Sequence, residues 1–443
     1  MRKLLAIASM CGLLVGAFYN AATSAQTTAD PALLNEINKI KAIDNHTHVT
    51  RVVNPGEEDH EYDALPFELL EPFPLMVRLR PDNPDYIAAW RALFGYKYSD
   101  MNAEHVKELA EAKARAIREH GDGYPAWVLD QLGTETMFAN RVAMGRGLTT
   151  PRFRWVSYVD AFVFPLSNEA AKRANFDYRA FYPAEEKLMK RYLSDLKLDG
   201  LPASLGGYLT RVITPTLEGQ KRAGAVAVKF EIAYLRALDL YDSNESDASR
   251  VYERWVKGGE PPAADYKLLQ DFLFRYVCRE AGRLGLVVHI HVFDGGGGSY
   301  LQSGSNPLLL DSAFNDPTLR KTNFVIVHGG YPFTASTVGM LSKPNVWADF
   351  SVLDLLLYPR HLSEILRNWL EYYPEKILFG TDASPTGENV SWEETGWLAT
   401  RTAREALALA LTGMINDKEI TRDRALELAR LVLRENAKKL YGF

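Results

Sequence analysis

A chain of 443 residues, 47% of them hydrophobic, is long enough to bury a large core, either as one α/β barrel with insertions or as two smaller domains. The formal net charge is −5 and no basic tract stands out, so the composition excludes nucleic acid as an expected partner. With two cysteines in the whole chain, a fold built on a disulfide framework is excluded as well.

Residues 1–25 have the layout of a secretory signal peptide: a basic start, an apolar run and small residues before a cleavage site after Ala25. A membrane anchor is the alternative, but the apolar run is short for a bilayer span. A lipoprotein would use Cys11, where the preceding Met10 is too bulky. We therefore expect a secreted or periplasmic protein of residues 26–443 without a stable membrane anchor. Its one remaining cysteine, Cys278, cannot form an internal disulfide.

Eight short apolar or β-branched runs are predicted as strands. They span residues 41–48, 136–141, 154–162, 224–232, 286–293, 324–330, 345–351 and 376–382. Several are near-continuously apolar, as parallel strands buried on both faces are. Helical patterns such as 266–284 and 360–372 lie between most of them, which favours a parallel sheet. We predict an α/β fold, a (β/α)8 TIM barrel, with a doubly wound open sheet as the alternative. The amphipathic segment 428–443 is predicted to pack on the outside.

Two stretches interrupt the strand–helix alternation, and both follow predicted strands. The first insertion, approximately residues 50–130, is rich in proline, aromatic and charged residues and is mostly helical after about residue 84. The second insertion, approximately residues 165–220, shows helical periodicity over 183–197. In a barrel they would lie over the mouth where active sites form, so we interpret them as a lid and a pocket wall. Scaffold decoration is the alternative.

The first predicted strand ends in two histidines one residue apart, His46 and His48. Side chains alternate between the faces of a strand, so these imidazoles face the same way, which in a barrel is toward the mouth. Composition predicts about 0.2 His-x-His pairs in such a chain, yet the sequence has a second pair at His289 and His291. We interpret the first pair as metal ligands, with a buried hydrogen-bonded couple as the alternative.

Three further strand ends carry residues that bind metals or move protons. His291 ends the fifth predicted strand, His328 the sixth and Asp382 the last. In a barrel these positions converge although they are far apart in sequence. We therefore predict a divalent metal held by His46, His48, His291 and Asp382, with a remaining position for a water whose pKa the ion lowers. Imidazole and carboxylate ligands suit zinc, and manganese or iron as alternatives.

Two further polar residues stand on the predicted strands. His289 shares the face of His291 one step further in, and we expect it to support the site rather than to be a ligand. Lys229 stands near the end of the apolar fourth strand. It either contacts an anionic substrate or, as a carbamate, bridges two metal ions; otherwise it pairs with Glu231 or reaches solvent. One or two metal ions are therefore expected.

Together these motifs resemble the amidohydrolase superfamily, and most closely its amidohydrolase-2 branch. The resemblance rests on the stretches HTH, VKFEIAYLRALDL, VHIHVFDGGG, VIVHGGYPF and ILFGTDASP, and it covers roughly residues 38–443. They are similar to amidohydrolase domains that are fused ahead of glutamine-synthetase-like domains. Because the sequence ends soon after the last predicted strand, we expect no such second domain.

The resemblance implies a (β/α)8 barrel with a catalytic divalent metal, and it implies that the four predicted ligands bind that metal or lie beside it. In mononuclear relatives the histidine matching His328 positions or protonates the substrate, and the aspartate matching Asp382 moves a proton. Members of the superfamily hydrolyse amides, esters or lactones, and some decarboxylate or isomerise their substrates.

Our hypothesis is an exported metal-dependent hydrolase for an amide, ester or lactone bond of a small, carboxylate-bearing substrate, with Asp382 and His328 as catalytic residues. A decarboxylase or isomerase on the same site is the first alternative, and a periplasmic solute-binding protein is the second. The candidate anchors for the carboxylate are Arg51, Arg141, Lys229, Tyr234 and Arg236. Arginine suits this role because its guanidinium binds a carboxylate bidentately. Neither composition nor motifs indicate an oligomeric state.

Overall fold

A computed structural model of the chain describes residues 28–54, 56–70, 72–295 and 300–443. The predicted signal peptide, residues 1–25, lies outside the described residues. Within the described part of the chain, no helix combines the length and the apolar character that crossing a membrane requires.

Eight parallel strands form one sheet in which each strand pairs with the next along the chain. They are β1 Ala42–Thr47, β2 Thr134–Arg141, β3 Phe153–Tyr158, β4 Ala225–Phe230, β5 Val287–His291, β6 Phe324–Val327, β7 Val346–Asp349 and β8 Ile377–Leu378. All eight predicted strands are confirmed, with differences at their ends.

The sheet closes on itself between its first and last strands. A parallel bridge joins Thr47 to Ala383, and the backbone N–H of Asn45 donates to the carbonyl of Phe379 over 2.8 Å. We call this junction, residues 45–48 and 379–383, the seam. Its presence confirms the (β/α)8 barrel over the doubly wound sheet.

Alternate side chains of each strand pack in two separate layers. Val287 of β5 points into the barrel, whereas Val288 packs outward against the helices. Apolar residues on both faces explain the near-continuous apolar runs of the sequence. Lys229 and His291 take inward positions near the carboxyl ends of β4 and β5, and this places them at the mouth of the barrel.

The helices surround the barrel and form part of the first insertion and most of the second. They are α1 Pro31–Asn38, α2 Asp85–Phe94, α3 Ala103–His120, α4 Tyr124–Leu132, α5 Glu169–Ala174, α6 Phe181–Asp195, α7 Leu205–Tyr208, α8 Thr214–Arg222, α9 Glu245–Trp255, α10 Ala263–Leu284, α11 Asp311–Phe314, α12 Thr334–Leu341, α13 Leu353–Leu356, α14 Pro359–Tyr372, α15 Trp392–Asn416, α16 Arg422–Arg430 and α17 Asn436–Tyr441. The helices predicted over 183–197, 266–284 and 360–372 are confirmed as α6, α10 and α14.

The two insertions meet over the mouth of the barrel. Phe67 of the first insertion packs edge-on against Phe181 of the second, with ring centroids 5.1 Å apart. The same ring lies 5.4 Å from that of Tyr234, which follows β4. This arrangement favours the lid interpretation of the first insertion over scaffold decoration.

The end of the chain does not only pack on the outside, as its amphipathic pattern predicted. The ring of Tyr441 lies inside the barrel, 4.4 Å from that of Phe138, and its hydroxyl lies 2.6 Å from Nε2 of His289. The hydroxyl also donates a hydrogen bond to the side chain of Asn45. Helix α17 therefore fills the barrel from the end opposite the mouth.

Replacing Phe138 by alanine should lower the free energy of unfolding by about 3–5 kcal/mol, because its ring is fully buried inside the barrel. Phe176→Ala is the matched control, since that ring is 49% exposed and its loss should cost less than about 1 kcal/mol. Urea unfolding followed by circular dichroism measures both variants. Equal losses would contradict the packing described for Phe138.

Candidate active site

Two histidines form the centre of the barrel mouth. His46 lies near the end of strand β1, and His48 directly follows that strand. Their ring centroids lie 5.1 Å apart with the planes nearly perpendicular. The register of β1 against β2 shifts between Asp44 and Thr47. Such irregularities re-aim side chains next to active sites, and here Asn45 as well as His46 faces the interior. The alternation of side chains between the two faces of a strand is therefore interrupted between Asp44 and Thr47.

Asp382 reaches the two histidines across the seam. Its Oδ1 lies 3.1 Å from Nε2 of His46 and 3.4 Å from Nε2 of His48. The backbone fixes this approach: the N–H of Asp382 donates to the carbonyl of His46, and the N–H of His48 donates to the carbonyl of Ala383, both over 2.8 Å. Asp382 has φ 58°, a conformation that costs energy outside glycine and that the seam stabilises.

His291 and His328 complete a group of imidazoles around His46. The ring of His328 lies 5.0 Å from that of His46 and 4.7 Å from that of His291. Tyr234 packs on the other side of His291, at 4.2 Å between ring centroids. The ligand atoms of His46, His48 and Asp382 all lie within 4.8 Å of one another, and His291 adjoins this trio through His328.

Burial favours the neutral form of three imidazoles of the site, those of His46, His291 and His328. It lowers the pKa of His46 well below its usual value, and Lys229 adds to the effect. Burial and then the neighbouring His328 lower the pKa of His291, and burial lowers that of His328 to about 3. Burial alone would raise the pKa of Asp382, but the surrounding histidines and Lys229 hold it below its usual value. Neutral imidazoles with an ionised carboxylate are the protonation state that binds a divalent cation.

Lys229 lies deep in the mouth, with its side chain fully buried. Its Nζ lies 3.3 Å from Nε2 of His46 and 3.6 Å from Oε1 of Glu231. Pairing with Glu231, one of the interpretations of the sequence, therefore describes its position, and it also adjoins the histidines. Burial and the neighbouring Asp63 raise the pKa of Glu231 well above its usual value, against the opposing effect of Lys229.

A hydrogen-bond network assigns the tautomer of His328. The hydroxyl of Ser351 donates to Oδ1 of Asp349 over 2.7 Å and lies 2.9 Å from Nδ1 of His328. Because Asp349 takes the hydroxyl hydrogen, Nδ1 of His328 must be the donor, and the lone pair of the neutral ring lies on Nε2. Asp349 also accepts from Nδ2 of Asn45 over 2.7 Å, which ties the network to β1.

The sequence did not reveal one carboxylate that contacts His48. Asp63 of the first insertion places Oδ2 2.9 Å from Nδ1 of His48, and the hydroxyl of Tyr158 lies 3.1 Å from the same nitrogen. His48, Asp63 and Glu231 form a second trio of ligand atoms within 4.8 Å of one another. Asp63 stands in a loop without periodicity, so no spacing marks it as part of the site.

Two of the candidate carboxylate anchors have partners within the protein. Both guanidinium NH groups of Arg141 bind the carboxylate of Asp59, at 2.7 and 3.0 Å, and the side chain is buried. Arg236 forms an ion pair with Asp271 at 2.7 Å. In this structure Arg141 and Arg236 therefore hold the insertion and the loop after β4 in place.

The other three candidates lie at or near the mouth. Lys229 and Tyr234 adjoin the histidines, as described above. Arg51 is 29% exposed at its side chain and lies 3.6 Å from Glu57 and 3.7 Å from Asp59. It lines a cavity of about 800 Å³ between the first insertion and α6. Asp63 lines the same cavity, and its contact with His48 connects this cavity to the histidine group.

The residues at the mouth fit a divalent metal ion. Among the described residues, Nε2 of His291 and Oδ1 of Asp382 are buried without a hydrogen-bond partner. The unpartnered oxygen of Asp382 faces the Nε2 atoms of His46 and His48 at the distances given above. Buried donors and acceptors are nearly always paired, and a cation between Oδ1 of Asp382 and the Nε2 atoms of His46 and His48 would satisfy that oxygen.

A sequence model of the family described as Amidohydrolase matches residues 216–443, slightly more than half of the chain. The chain belongs to the amidohydrolase family. The matched region contains Lys229, His291, His328 and Asp382, whereas the histidine pair of β1 precedes it.

This amidohydrolase is 26% identical over 229 residues to Protein fluG of Emericella nidulans, an overlap of 49% of this chain and 25% of that protein. The chain therefore matches about a quarter of the length of this curated relative. A candidate metal-dependent hydrolase from Lactobacillus casei ATCC 334 has a similar structure, with TM-score 0.56, 16% identity, and 94% and 98% of the two chains covered. Glucuronate isomerase from Caulobacter crescentus is also similar in structure, with TM-score 0.55 and 13% identity. The similarity covers 96% of this chain and 97% of the isomerase. These structural likenesses establish the barrel fold.

Elemental analysis of the purified protein should find about one divalent ion per chain, and His46→Ala/His48→Ala should abolish it because two ligands are lost. A stoichiometry near two would favour a bridging role for Lys229. His120→Ala/His361→Ala is the control, since both residues are exposed and metal content should stay unchanged. Protein that takes up neither zinc nor manganese on incubation would contradict the assignment of these histidines.

Proposed function

We propose that this amidohydrolase is an exported metal-dependent hydrolase that cleaves an amide, ester or lactone bond of a small, carboxylate-bearing substrate. The observation that carries the proposal is the approach of Asp382 Oδ1 to Nε2 of both His46 and His48 without a hydrogen bond to either. It supports a metal centre with a carboxylate beside it that can take a proton. Export rests on the signal-like segment 1–25 alone.

His46, His48 and Asp382 would hold the metal ion, with His291 beside them. Zinc is our first candidate because imidazole and carboxylate are its usual ligands, and manganese or iron are the alternatives. When bound, such an ion lowers the pKa of water and polarises a carbonyl group.

Asp382 is the proton carrier in this proposal. The neighbouring histidines and Lys229 hold its pKa below the usual value despite burial, so it is ionised at neutral pH and accepts a proton from the attacking water at a carboxylate oxygen. The protonated carboxyl then donates this proton to the leaving amine or alcohol. Asp382 thus both accepts the proton from water and delivers it to the leaving group.

His328 orients the substrate in this proposal. Its Nδ1–H is used by Ser351, and its Nε2 carries the lone pair, so the neutral ring accepts a hydrogen bond. Protonation of a leaving group by His328 would require that Nε2 first take up a proton. Burial lowers the pKa of this ring to about 3, which favours the orienting role.

Decarboxylation or isomerisation on the same site is the main alternative, and solute binding without turnover is the other. The protein of similar fold from Caulobacter crescentus is named as a glucuronate isomerase. Hydrolysis adds one molecule of water to the substrate, isomerisation adds none, and decarboxylation releases carbon dioxide. The atoms of the product therefore separate these functions.

Turnover of a panel of N-acyl amino acids, carboxylate-bearing esters and lactones in ¹⁸O-labelled water should yield a product with one solvent oxygen, measured by mass spectrometry. Asp382→Asn should lower kcat by about 10²–10⁴-fold, whereas Asp199→Asn, at an exposed position, should not change it. Carbon dioxide release or an unlabelled isomer would overturn hydrolysis. Bound ligand recovered intact would favour the solute-binding alternative.

Arg51→Met should raise KM for a carboxylate-bearing substrate by about tenfold to a hundredfold with kcat unchanged, because it removes a charged hydrogen-bond donor used equally in ground and transition states. Its effect should vanish for the corresponding methyl ester, which lacks the charge. Arg222→Met, at an exposed position away from this cavity, is the control. An unchanged KM would remove Arg51 from the list of anchors.

A further inference from the structure

The first insertion places a carboxylate, that of Asp63, beside Nδ1 of His48, the ring nitrogen that faces away from the other proposed metal ligands. Oδ2 of Asp63 lies 2.9 Å from Nδ1 of His48, while Nε2 of the same ring faces Oδ1 of Asp382 at 3.4 Å. Both partners of the Asp63–His48 contact are less than a tenth exposed at their side chains. The contact is therefore shielded from solvent, where an ion pair or hydrogen bond is worth more than on the surface.

An ionised carboxylate can only accept hydrogen bonds, so its position determines where the ring carries its proton. With the carboxylate of Asp63 beside Nδ1, the hydrogen bond places the N–H of His48 on Nδ1 and leaves Nε2 facing His46 and Asp382. Nε2 is the atom that converges with His46 and Asp382. Carboxylates in this position fix the orientation of metal-binding histidines and make them better ligands.

The path of the first insertion fixes Asp63 in turn. Its Oδ1 accepts a hydrogen bond from the backbone N–H of Leu65 over 2.9 Å. Four residues earlier, Asp59 binds Arg141 of β2 with both carboxylate oxygens. Between them, the carbonyl of Glu61 accepts from the backbone N–H of Val142 over 3.0 Å. The loop is thus attached to the end of β2 before Asp63 turns toward His48.

We propose that Asp63 is a positioning residue for the metal centre, acting through His48 and not as a ligand itself. The inference rests on the proposed metal binding and adds that the first insertion is part of the site. Nδ1 of His48 has two contacts, and the proposal gives them different roles. The carboxylate of Asp63 accepts the hydrogen on Nδ1, whereas the hydroxyl of Tyr158, 3.1 Å away, packs beside it.

The test measures zinc affinity of purified protein by competition with a chromophoric chelator, so that no substrate is needed. Asp63→Ala should weaken zinc binding by about 10- to 100-fold. Asp63→Asn should restore part of the loss, because its amide oxygen still accepts from Nδ1 but carries no charge. Asp82→Ala in the same insertion is exposed and should bind zinc like the unmodified protein.

Thermal unfolding of the metal-free variants separates positioning from structure. A merely structural role would lower the melting temperature of Asp63→Ala and leave zinc affinity of the folded protein unchanged, and that result would overturn the proposal. So would zinc affinity of both Asp63 variants within twofold of the unmodified protein. If Asp63→Ala does not fold, Asp63→Asn decides alone, with a weakened affinity expected. Absence of zinc binding by the unmodified protein would instead refute the proposed function.

Discussion

The closure of the barrel at the seam is the constraint on which the candidate metal centre depends. Two backbone hydrogen bonds, from Asp382 to His46 and from His48 to Ala383, set the distance between one end of the barrel sheet and the other. These bonds fix the backbone positions from which His46, His48 and Asp382 project toward one another. A site held in this way needs little reorganisation when it binds its ion. The left-handed backbone of Asp382 is the local cost of that geometry.

The strands, and the convergence of the histidines and the aspartate at their ends, could be predicted because both follow from local pattern. Apolar runs mark buried parallel strands, and a barrel brings their carboxyl ends together whatever their separation in sequence. The inward turn of both Asn45 and His46 could not be predicted, because it depends on how β1 is registered against β2. Nor could Asp63, since the path of an irregular loop is set by tertiary contacts such as the pair between Asp59 and Arg141.

The interior below the mouth holds more acidic groups than cations. Lys229 is buried 3.6 Å from Glu231, and Asp160 and Glu185 are buried close enough to Glu231 to raise its pKa. Burial raises the pKa of Asp160 to about 7 and that of the two glutamates well above their usual values. Protonating these carboxylates costs less free energy than keeping several unpaired negative charges in a medium of low dielectric constant. The pKa of Asp382 is shifted in the opposite direction, below its usual value, although this carboxylate is buried too.

The position of Tyr441 has a consequence for how the protein is made. Its hydroxyl bonds to Asn45 of the first strand, a residue 396 positions earlier, and to His289 in the middle of the barrel. While the ribosome is still synthesising the later strands, the polar groups at the centre of the barrel lack this partner. A nascent chain can form strand–helix units in order of synthesis, but the inside of the barrel is completed only when helix α17 has emerged and entered from below.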